Sequence, residues 1–142
     1  MIIADTSGLL AFLNRRETSH DEVSRLISGS SETLVVSPYV VAELDYLIAS
    51  RAGVDAEREA LAVLASGAYL LAQFGAEDLL TANTVIGRYR DQQVGVTDAS
   101  LVVLAHRYGT RTILTLDHRH FDVLRPLSGG RFRILPSKGR GS

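Results

Sequence analysis

The segment MIIADTSGLLAFL, residues 1–13, indicates the fold class because an apolar run ends abruptly on a carboxylate. Residues 2–4 are too few and too β-branched to begin a helix, so they predict a short buried strand. Residues 8–13 have helical character, which places Asp5 at a strand-to-helix junction. Such junctions carry functional groups in α/β proteins, although an aspartate there also serves as a turn former or helix cap.

The composition is that of one globular domain. The 142 residues are 46% hydrophobic and include no cysteine, which excludes disulfides, thiol nucleophiles and cysteine-ligated zinc. No segment has the pattern of a signal peptide, and no apolar run approaches the roughly 20 residues needed to cross a bilayer. We therefore expect a single domain over residues 1–136, a flexible tail over 137–142, and a cytoplasmic protein with no membrane partner.

Charge is distributed unevenly along the chain, although its formal sum is only −1. Residues 1–74 carry five Arg and ten acidic residues, whereas residues 75–142 carry ten Arg or Lys and six acidic residues. The small net charge argues against a general polyanion binder. The arginines of the second half suit phosphate contacts, because a guanidinium binds two oxygens, but they are equally consistent with solvated helix faces.

Apolar periodicity predicts strands that alternate with helices. The expected strands are 2–4, 33–37, 68–72, 112–116 and 132–135. The expected helices are 8–13, one to about residue 27 with a Ser19–Glu22 capping box, one from Pro38 to Gly53, one capped by Asp55, one over 76–89, and one capped by Thr97. This alternation favours an α/β fold with a mostly parallel central sheet of about five strands and helices on both faces.

Four carboxylates occupy corresponding places in this predicted order. Asp5 ends the first strand and Asp117 ends the fourth, and in a parallel sheet both strand ends lie along one edge. Asp98 falls in the first turn of a helix that begins at that edge, where the helix dipole also favours an acid. Glu43 lies within the apolar stripe of its helix, inward or at the margin, where an unpaired carboxylate is costly.

Repulsion among these carboxylates predicts a bound cation. Two carboxylates about 4 Å apart repel by about 4 kcal/mol at an effective dielectric of about 20, and no lysine lies near any of the four in the sequence. Oxygen ligands suit Mg²⁺ or Mn²⁺, so the pattern indicates metal-assisted phosphodiester hydrolysis with the acids as ligands. Ser7 and Thr115 are expected to orient two of these acids, or else to be ordinary turn and strand residues.

The stretches MIIADTSGLLAFL, VVAEL, VTDAS and TILTLDHRHF resemble the four signatures of PIN-domain ribonucleases, and especially of the VapC toxins of bacterial toxin–antitoxin pairs. The resemblance covers nearly the whole chain. It implies a PIN-like three-layer α/β/α sandwich and an acidic quartet of Asp5, Glu43, Asp98 and Asp117 that binds Mg²⁺ or Mn²⁺, with Ser7 beside the first acid. It also implies an endoribonuclease for structured RNA, commonly tRNA or large-subunit rRNA, that forms a homodimer and is inhibited by a VapB-like antitoxin.

One position departs from the family pattern. Many members carry an acid just before the phenylalanine that corresponds to Phe121, and here that residue is His120. We therefore expect one tightly held ion in the free protein, with a substrate phosphate completing a second site. His118 and His120 are expected to lie in a loop, where two histidines rarely form a metal site without further ligands. The loop is interpreted as an RNA contact or a solvent-exposed segment.

RNA binding requires positive charge outside the acidic crevice. The residues expected to contact the RNA backbone are Arg88, Arg90, His118, Arg119 and Arg125, with Arg131, Arg133 and Lys138 nearer the C-terminus. Aromatic residues are too few and too scattered to identify a target. The third and fourth helices are rich in Val, Leu and Ala, so their shared face is expected either to be buried or to offer an apolar groove to an antitoxin helix.

Two other classes of protein are alternatives. A receiver domain or a phosphatase of the haloacid dehalogenase type also has strand-end aspartates. Both need a catalytic lysine, whereas the sole lysine here is Lys138, and the phosphatase needs a second aspartate where this chain has Ser7. The other alternative is a catalytically inactive PIN-like binding protein, against which the retention of four costly acids argues.

Overall fold

The computed structural model describes residues 1–137, which form five strands and seven α-helices. The strands are β1 (Ile2–Ala4), β2 (Leu34–Val36), β3 (Leu70–Leu71), β4 (Thr112–Leu114) and β5 (Arg133–Leu135). The helices are α1 (Thr6–Leu13), α2 (His20–Ser28), α3 (Pro38–Ala52), α4 (Val54–Leu64), α5 (Ala76–Arg88), α6 (Val96–Arg107) and α7 (His118–Val123), with a 3₁₀ turn at Arg90–Gln92. Lys138 and the rest of the expected tail after residue 137 lie outside the described residues.

All neighbouring strands of the sheet run parallel, in the order β3-β2-β1-β4-β5. β1 is central, with Ile3 opposite Val35 on one side and Ile113 on the other. Strands β2 and β3 extend the sheet on one side of β1, and the chain then crosses to build β4 and β5 on the other. A topological switch point therefore lies between β1 and β4, and open α/β sheets bind their ligands beyond the carboxyl ends of the strands at such points.

The central strands are fully buried, as expected for a parallel sheet covered on both faces. Ile3, Val35 and Ile113 have no exposed surface. Leu101 and Leu104 of α6 are equally inaccessible and belong to the same core. Within residues 1–137, no helix is both long enough and apolar enough to cross a membrane.

The junction between β1 and α1 is tight because it requires a glycine. A Cβ on Gly8 would lie 2.6 Å from the carbonyl oxygen of Leu114, so only glycine allows α1 to approach β4 this closely. Helix α1 begins at Thr6, two residues earlier than predicted, and Asp5 is its N-cap. The Asp5 N–H donates to the Leu114 carbonyl at 2.8 Å, which joins this junction to the end of β4. Asp5 therefore acts as a cap and also stands at the sheet edge.

Two predicted helix starts were wrong in detail. Helix α4 begins directly after Gly53, whose φ of +90° favours glycine, so Asp55 lies in the first turn and is not the cap. Ser19 does precede α2, but its side chain makes no capping hydrogen bond, so the capping box with Glu22 does not form. In both cases the sequence shows where a helix starts more reliably than which side chain caps it.

The largest correction concerns His118 and His120, which were expected to lie in a loop and instead lie in helix α7. Asp117 is its N-cap and accepts a hydrogen bond from the N–H of Arg119 at 3.3 Å. Polar residues dominate this short helix, and Phe121 is its one buried residue. The single apolar anchor gave no periodicity from which a helix is recognised.

Candidate active site

A cavity of about 490 Å³ lies at the switch point, beyond the carboxyl ends of β1 and β4. Four elements contribute one carboxylate each, namely Asp5 before α1, Glu43 of α3, Asp98 of α6 and Asp117 before α7. The other polar side chains of its lining include those of Thr6, Ser7, Glu17, Arg51, Thr97 and His120. The four acids selected from the sequence thus line one cavity.

Asp5 is the most enclosed of the four acids, with 7% of its surface exposed. One carboxylate oxygen accepts a hydrogen bond from the Thr6 N–H at 2.8 Å, and the other accepts from the Thr115 hydroxyl at 2.7 Å. Burial nevertheless raises the pKa of Asp5, the two hydrogen bonds oppose this, and the charges of Glu43 and Asp117 add to it. The carboxylate is held rigidly where its negative charge is poorly solvated.

Thr115 connects the two strand-end aspartates. Its hydroxyl donates to Asp5 and accepts from the N–H of Asp117 at 3.0 Å. Ser7 lies one hydrogen bond further away, with its hydroxyl 3.2 Å from that of Thr115, and it accepts from the N–H of Leu116 at 2.9 Å. Both residues predicted to orient the acids therefore contact this network, Thr115 directly and Ser7 through Thr115.

Glu43 lies at the exposed margin of α3, held by two hydroxyl groups. Thr6 donates to one carboxylate oxygen at 3.0 Å, and Thr97 donates to the other at 2.6 Å. The prediction that Thr97 caps α6 was wrong, because Gly95 precedes that helix and the Thr97 hydroxyl bonds to Glu43 instead. Thr6 and Thr97 were missed as site residues, although each is the immediate neighbour of a selected aspartate.

Asp98 is paired with an imidazole. Its side chain is 14% exposed, and one carboxylate oxygen lies 2.5 Å from Nδ1 of His120. The same nitrogen is 3.9 Å from a carboxylate oxygen of Asp117. Burial and then the charge of Asp5 raise the pKa of Asp98 to about 6, with His120 acting in the opposite direction. His120 therefore offsets only part of the effect that burial and the neighbouring acids have on the pKa of Asp98.

None of the seven described residues that were predicted to contact RNA lines this cavity; they are Arg88, Arg90, His118, Arg119, Arg125, Arg131 and Arg133. The side chain of Arg119 is 89% exposed. The guanidinium of Arg125 instead donates to the backbone carbonyls of Asp122 and Leu124, at 2.8 and 3.2 Å. Arg119 nevertheless lies beside the acids, with its Nε 3.6 Å from a carboxylate oxygen of Asp117. An RNA role for these residues therefore involves contacts at the edge of the cavity or outside it.

Arg51 is the arginine that the structure places at the cavity, and it was not selected from the sequence. It lies near the end of α3 with its side chain 59% exposed, and it is 3.4 Å from Glu17. Glu43, Leu47 and Arg51 are spaced at i, i+4 and i+8 on α3, which puts them along one face of the helix. That spacing was the signal from which Arg51 could have been found.

The donor chemistry of the site fits a hard divalent cation. Asp5, Glu43, Asp98 and Asp117 offer carboxylate oxygens, which Mg²⁺ and Mn²⁺ prefer. Burial, and then the charges of neighbouring acids, raise the pKa of Asp5 and of Asp98, so a cation would stabilise their ionised forms. Each carboxylate is also engaged by a hydroxyl, an N–H or an imidazole. Over residues 1–137, no three acidic or histidine side chains form a ready-made metal cage. A bound ion would therefore replace some of these hydrogen bonds.

The family model of the PIN domain matches residues 2–125. The chain belongs to the PIN-domain family. Within that family, this PIN protein is 56% identical over 135 residues to ribonuclease VapC26 of Mycobacterium tuberculosis. The match covers 95% of this chain and 100% of the relative. The predicted resemblance to PIN-domain ribonucleases of the VapC type is thereby confirmed.

Solved structures share the fold of this PIN protein. VapC20 of Mycobacterium tuberculosis, a toxin that cleaves the sarcin-ricin loop, has a TM-score of 0.77 at 22% identity and covers 84% of this chain and 92% of its own. VapBC2 of Rickettsia felis, bound to a DNA fragment from its promoter, has a TM-score of 0.66 at 17% identity, covering 94% and 97%. The predicted PIN-like three-layer α/β/α sandwich with a parallel five-stranded sheet is confirmed.

Proposed function

We propose that this PIN protein is a metal-dependent endoribonuclease toxin of a toxin–antitoxin pair, acting in the cytoplasm. One observation carries the proposal: carboxylates from four distant stretches line a single cavity in a chain 56% identical to a VapC ribonuclease. A binding protein would gain nothing from keeping four acids together, because their mutual repulsion lowers stability.

The proposed ligands of Mg²⁺ or Mn²⁺ are Asp5, Glu43, Asp98 and Asp117. When bound, such an ion supplies charge that polarises a phosphate and lowers the pKa of water. The protein contributes orientation, since hydroxyls of three threonines already fix oxygens of Asp5 and Glu43. We propose that Glu43 or Asp98 also holds the attacking water by accepting its hydrogen bond. One tightly held ion in the free protein stays a prediction.

Structured RNA is the proposed substrate, in the form of tRNA or large-subunit rRNA. The acidic cavity repels phosphate, so RNA must be held by positive charge at its rim and beyond. Arg51 supplies that charge at the rim, and the arginine-rich second half of the chain supplies it further away. These contacts recognise the backbone, so the target is selected by the shape and unpaired bases of the RNA.

Cleavage of total RNA by the purified chain tests the enzyme. Chelation with EDTA should abolish cleavage, excess Mg²⁺ or Mn²⁺ should restore it, and Asp5→Asn should stay inactive. Glu22→Gln is the matched control, because Glu22 is an exposed acid of α2 that does not line the cavity. Cleavage that persists in EDTA or in Asp5→Asn contradicts the proposal. If cleavage depends on the metal and on Asp5, sequencing of the 5′ ends of RNAs formed after induced expression would identify the target RNA.

An apolar groove of about 640 Å³ borders the acidic cavity and is the proposed antitoxin site. Its apolar lining residues come from α1, α3 and α4 and are Leu10, Leu13, Leu47, Ile48, Ala52, Ala56, Ala60 and Val63. The groove shares Leu10, Leu47 and Arg51 with the cavity. A VapB-like antitoxin that lays an apolar helix in the groove would therefore also obstruct RNA entry.

Two substitutions on α4 test the antitoxin site. Val63 and Leu61 are each 39% exposed, but Val63 lines the groove and Leu61 does not. Val63→Glu should weaken binding of the product of the neighbouring short open reading frame by about a hundredfold, because a carboxylate would be buried on binding. Leu61→Glu should leave it unchanged. Equal binding by the two variants would place the antitoxin elsewhere.

A homodimer is also proposed. Leu79 and Leu80 of α5 are 48% and 67% exposed, and Glu77 and Arg88 lie toward opposite ends of that helix. Two copies of α5 packed antiparallel would cover the leucines and bring opposite charges together. Light scattering should give twice the mass of 15.4 kDa, and Leu80→Asp should reduce it to that of one chain. A monomeric wild type would rule out the dimer.

A further inference from the structure

His120 is the side chain of the cavity to which the proposed chemistry assigns no role. It lies on α7, three residues after Asp117, and lines the cavity. Its Nδ1 is 2.5 Å from a carboxylate oxygen of Asp98 and 3.9 Å from one of Asp117. A third of the side chain is exposed, so the ring is not locked within the core.

The 3.9 Å separation is that of two ligands around one small ion, whereas the 2.5 Å separation is a hydrogen bond. Ligand atoms lie about 2.1 Å from Mg²⁺ or Mn²⁺, so two ligands of one ion are at most about 4.2 Å apart and about 3 Å apart when adjacent. The 3.9 Å from Nδ1 of His120 to Asp117 falls within this range, and the hydrogen bond to Asp98 has to lengthen by about 0.5 Å when Nδ1 gives up its proton and binds the ion. His118, on the same helix, does not line the cavity.

The charge of the cavity favours an imidazole over a further acid at this position. Four carboxylates already line it, and a fifth would raise their mutual repulsion. A neutral nitrogen donor adds a ligand without adding negative charge. Nitrogen also discriminates between metals, since Mg²⁺ is a hard ion that prefers oxygen, whereas first-row transition ions bind imidazole better.

We propose that His120 is a nitrogen ligand of the divalent ion held by Asp98 and Asp117, and that it shifts the preference of the site from Mg²⁺ toward Mn²⁺. This inference rests on the proposed metal-dependent function and adds the metal preference of the same site. A loop, as expected from the sequence, would not fix the position of His120. Helix α7 instead places His120 beside two of the proposed ligands, Asp98 and Asp117.

Electron paramagnetic resonance of Mn²⁺ bound to the full chain tests the ligand directly. Pulsed spectra of wild type with natural and ¹⁵N-labelled histidine should show a directly bound nitrogen that changes with the label. His118→Asn should keep this signal and His120→Asn should lose it. In competition titrations, the preference for Mn²⁺ over Mg²⁺ should fall about tenfold in His120→Asn and stay unchanged in His118→Asn.

The wild-type spectrum decides even if His120→Asn does not fold, because His120 is the histidine that lines the cavity among the four of the chain, all of which are described. Bound Mn²⁺ without histidine coupling would overturn the ligand assignment, as would an unchanged metal preference in folded His120→Asn. Either result leaves the nuclease proposal intact. A chain that binds no Mn²⁺ at all would instead overturn the proposed function and this inference with it.

Discussion

The acidic cavity and the apolar groove are neighbours that share Leu10, Leu47 and Arg51, yet they differ in how they affect stability. In the cavity, burial raises the pKa of Asp5 and of Asp98, so the ionised site destabilises the folded protein. In the groove, partly exposed apolar side chains forgo some burial, and the charged lining residues Arg16, Arg51 and Glu59 carry both signs. Only the cavity requires a ligand to relieve a folding cost.

This difference teaches which kind of site can be recognised without its ligand. A cluster of poorly solvated carboxylates is improbable unless a ligand binds there. The cavity alone therefore indicates that its ligand is a hard cation. An apolar groove is common on protein surfaces, and it indicates the shape of a binding partner but not its identity. Substitutions in the cavity and at its border with the groove test this contrast.

The largest effect is expected from Asp98→Asn. Loss of this carboxylate should reduce RNA cleavage by about a thousandfold, since several kcal/mol of charge stabilisation depend on the ion it helps to bind. The same change should raise the free energy of unfolding of the metal-free protein at pH 7, because a carboxylate with a pKa of about 6 is ionised there at a cost. Antitoxin binding in the groove should not change. Lower stability together with lower activity would contradict the cost assigned to the cavity.

The pH dependence of stability comes next in size. Between pH 4 and 6 the folded metal-free chain binds more protons at Asp98 than the unfolded chain, so its free energy of unfolding falls as pH rises. The cost of ionisation is absent below about pH 4 and reaches roughly 3 kcal/mol above pH 6. Urea denaturation should show the difference between Asp98→Asn and wild type growing across this range. A constant difference would contradict the raised pKa.

Much of the fold could be predicted because it depends on local patterns. The apolar run at 33–37 became Leu34–Val36, and the helix expected over 76–89 became Ala76–Arg88. Parallel order and a common strand edge follow from alternation of strands and helices, and this placed Asp5 and Asp117 on one cavity. Helix α7 could not be predicted, because a six-residue helix with one buried residue has no period to detect.

The contacts within the site were less accessible to sequence reasoning. The hydroxyls that hold Glu43 lie 37 and 54 positions away in the chain, on Thr6 and Thr97, and only the packing of three helices brings them together. Thr97 carried a local signal for capping that the tertiary contact overrode. The position of an acid could be inferred from the topology, whereas its hydrogen-bond partners could not.

A smaller effect is expected from Thr115→Val. The substitution removes the donor to Asp5 and the acceptor for the N–H of Asp117, while keeping the shape of the side chain. Cleavage should fall about tenfold, because residues that orient metal ligands contribute about that much to activity. Thr112→Val, at the opposite end of β4 and outside the cavity, is the control. Full activity in Thr115→Val would mean that Asp5 needs no orientation.

The smallest effect is expected at the border of the two regions, from Arg51→Ala. This arginine is 59% exposed and weakly paired with Glu17 at 3.4 Å, so its loss should change the free energy of unfolding by less than about 0.5 kcal/mol. If it holds an RNA phosphate, the KM should rise about threefold, kcat should stay constant, and the salt dependence of RNA binding should weaken by about one charge.

Arg58→Ala is the control for Arg51→Ala, because Arg58 is an exposed arginine of α4 that lines neither the cavity nor the groove. A fall in kcat for Arg51→Ala would show that the arginine acts in the chemical step and not only in binding. Equal KM values for the two variants would mean that RNA does not contact Arg51 at the border between the cavity and the groove. If antitoxin affinity changes together with KM, the two ligands compete for the same residue, and the apolar groove and the acidic cavity then function as one continuous surface.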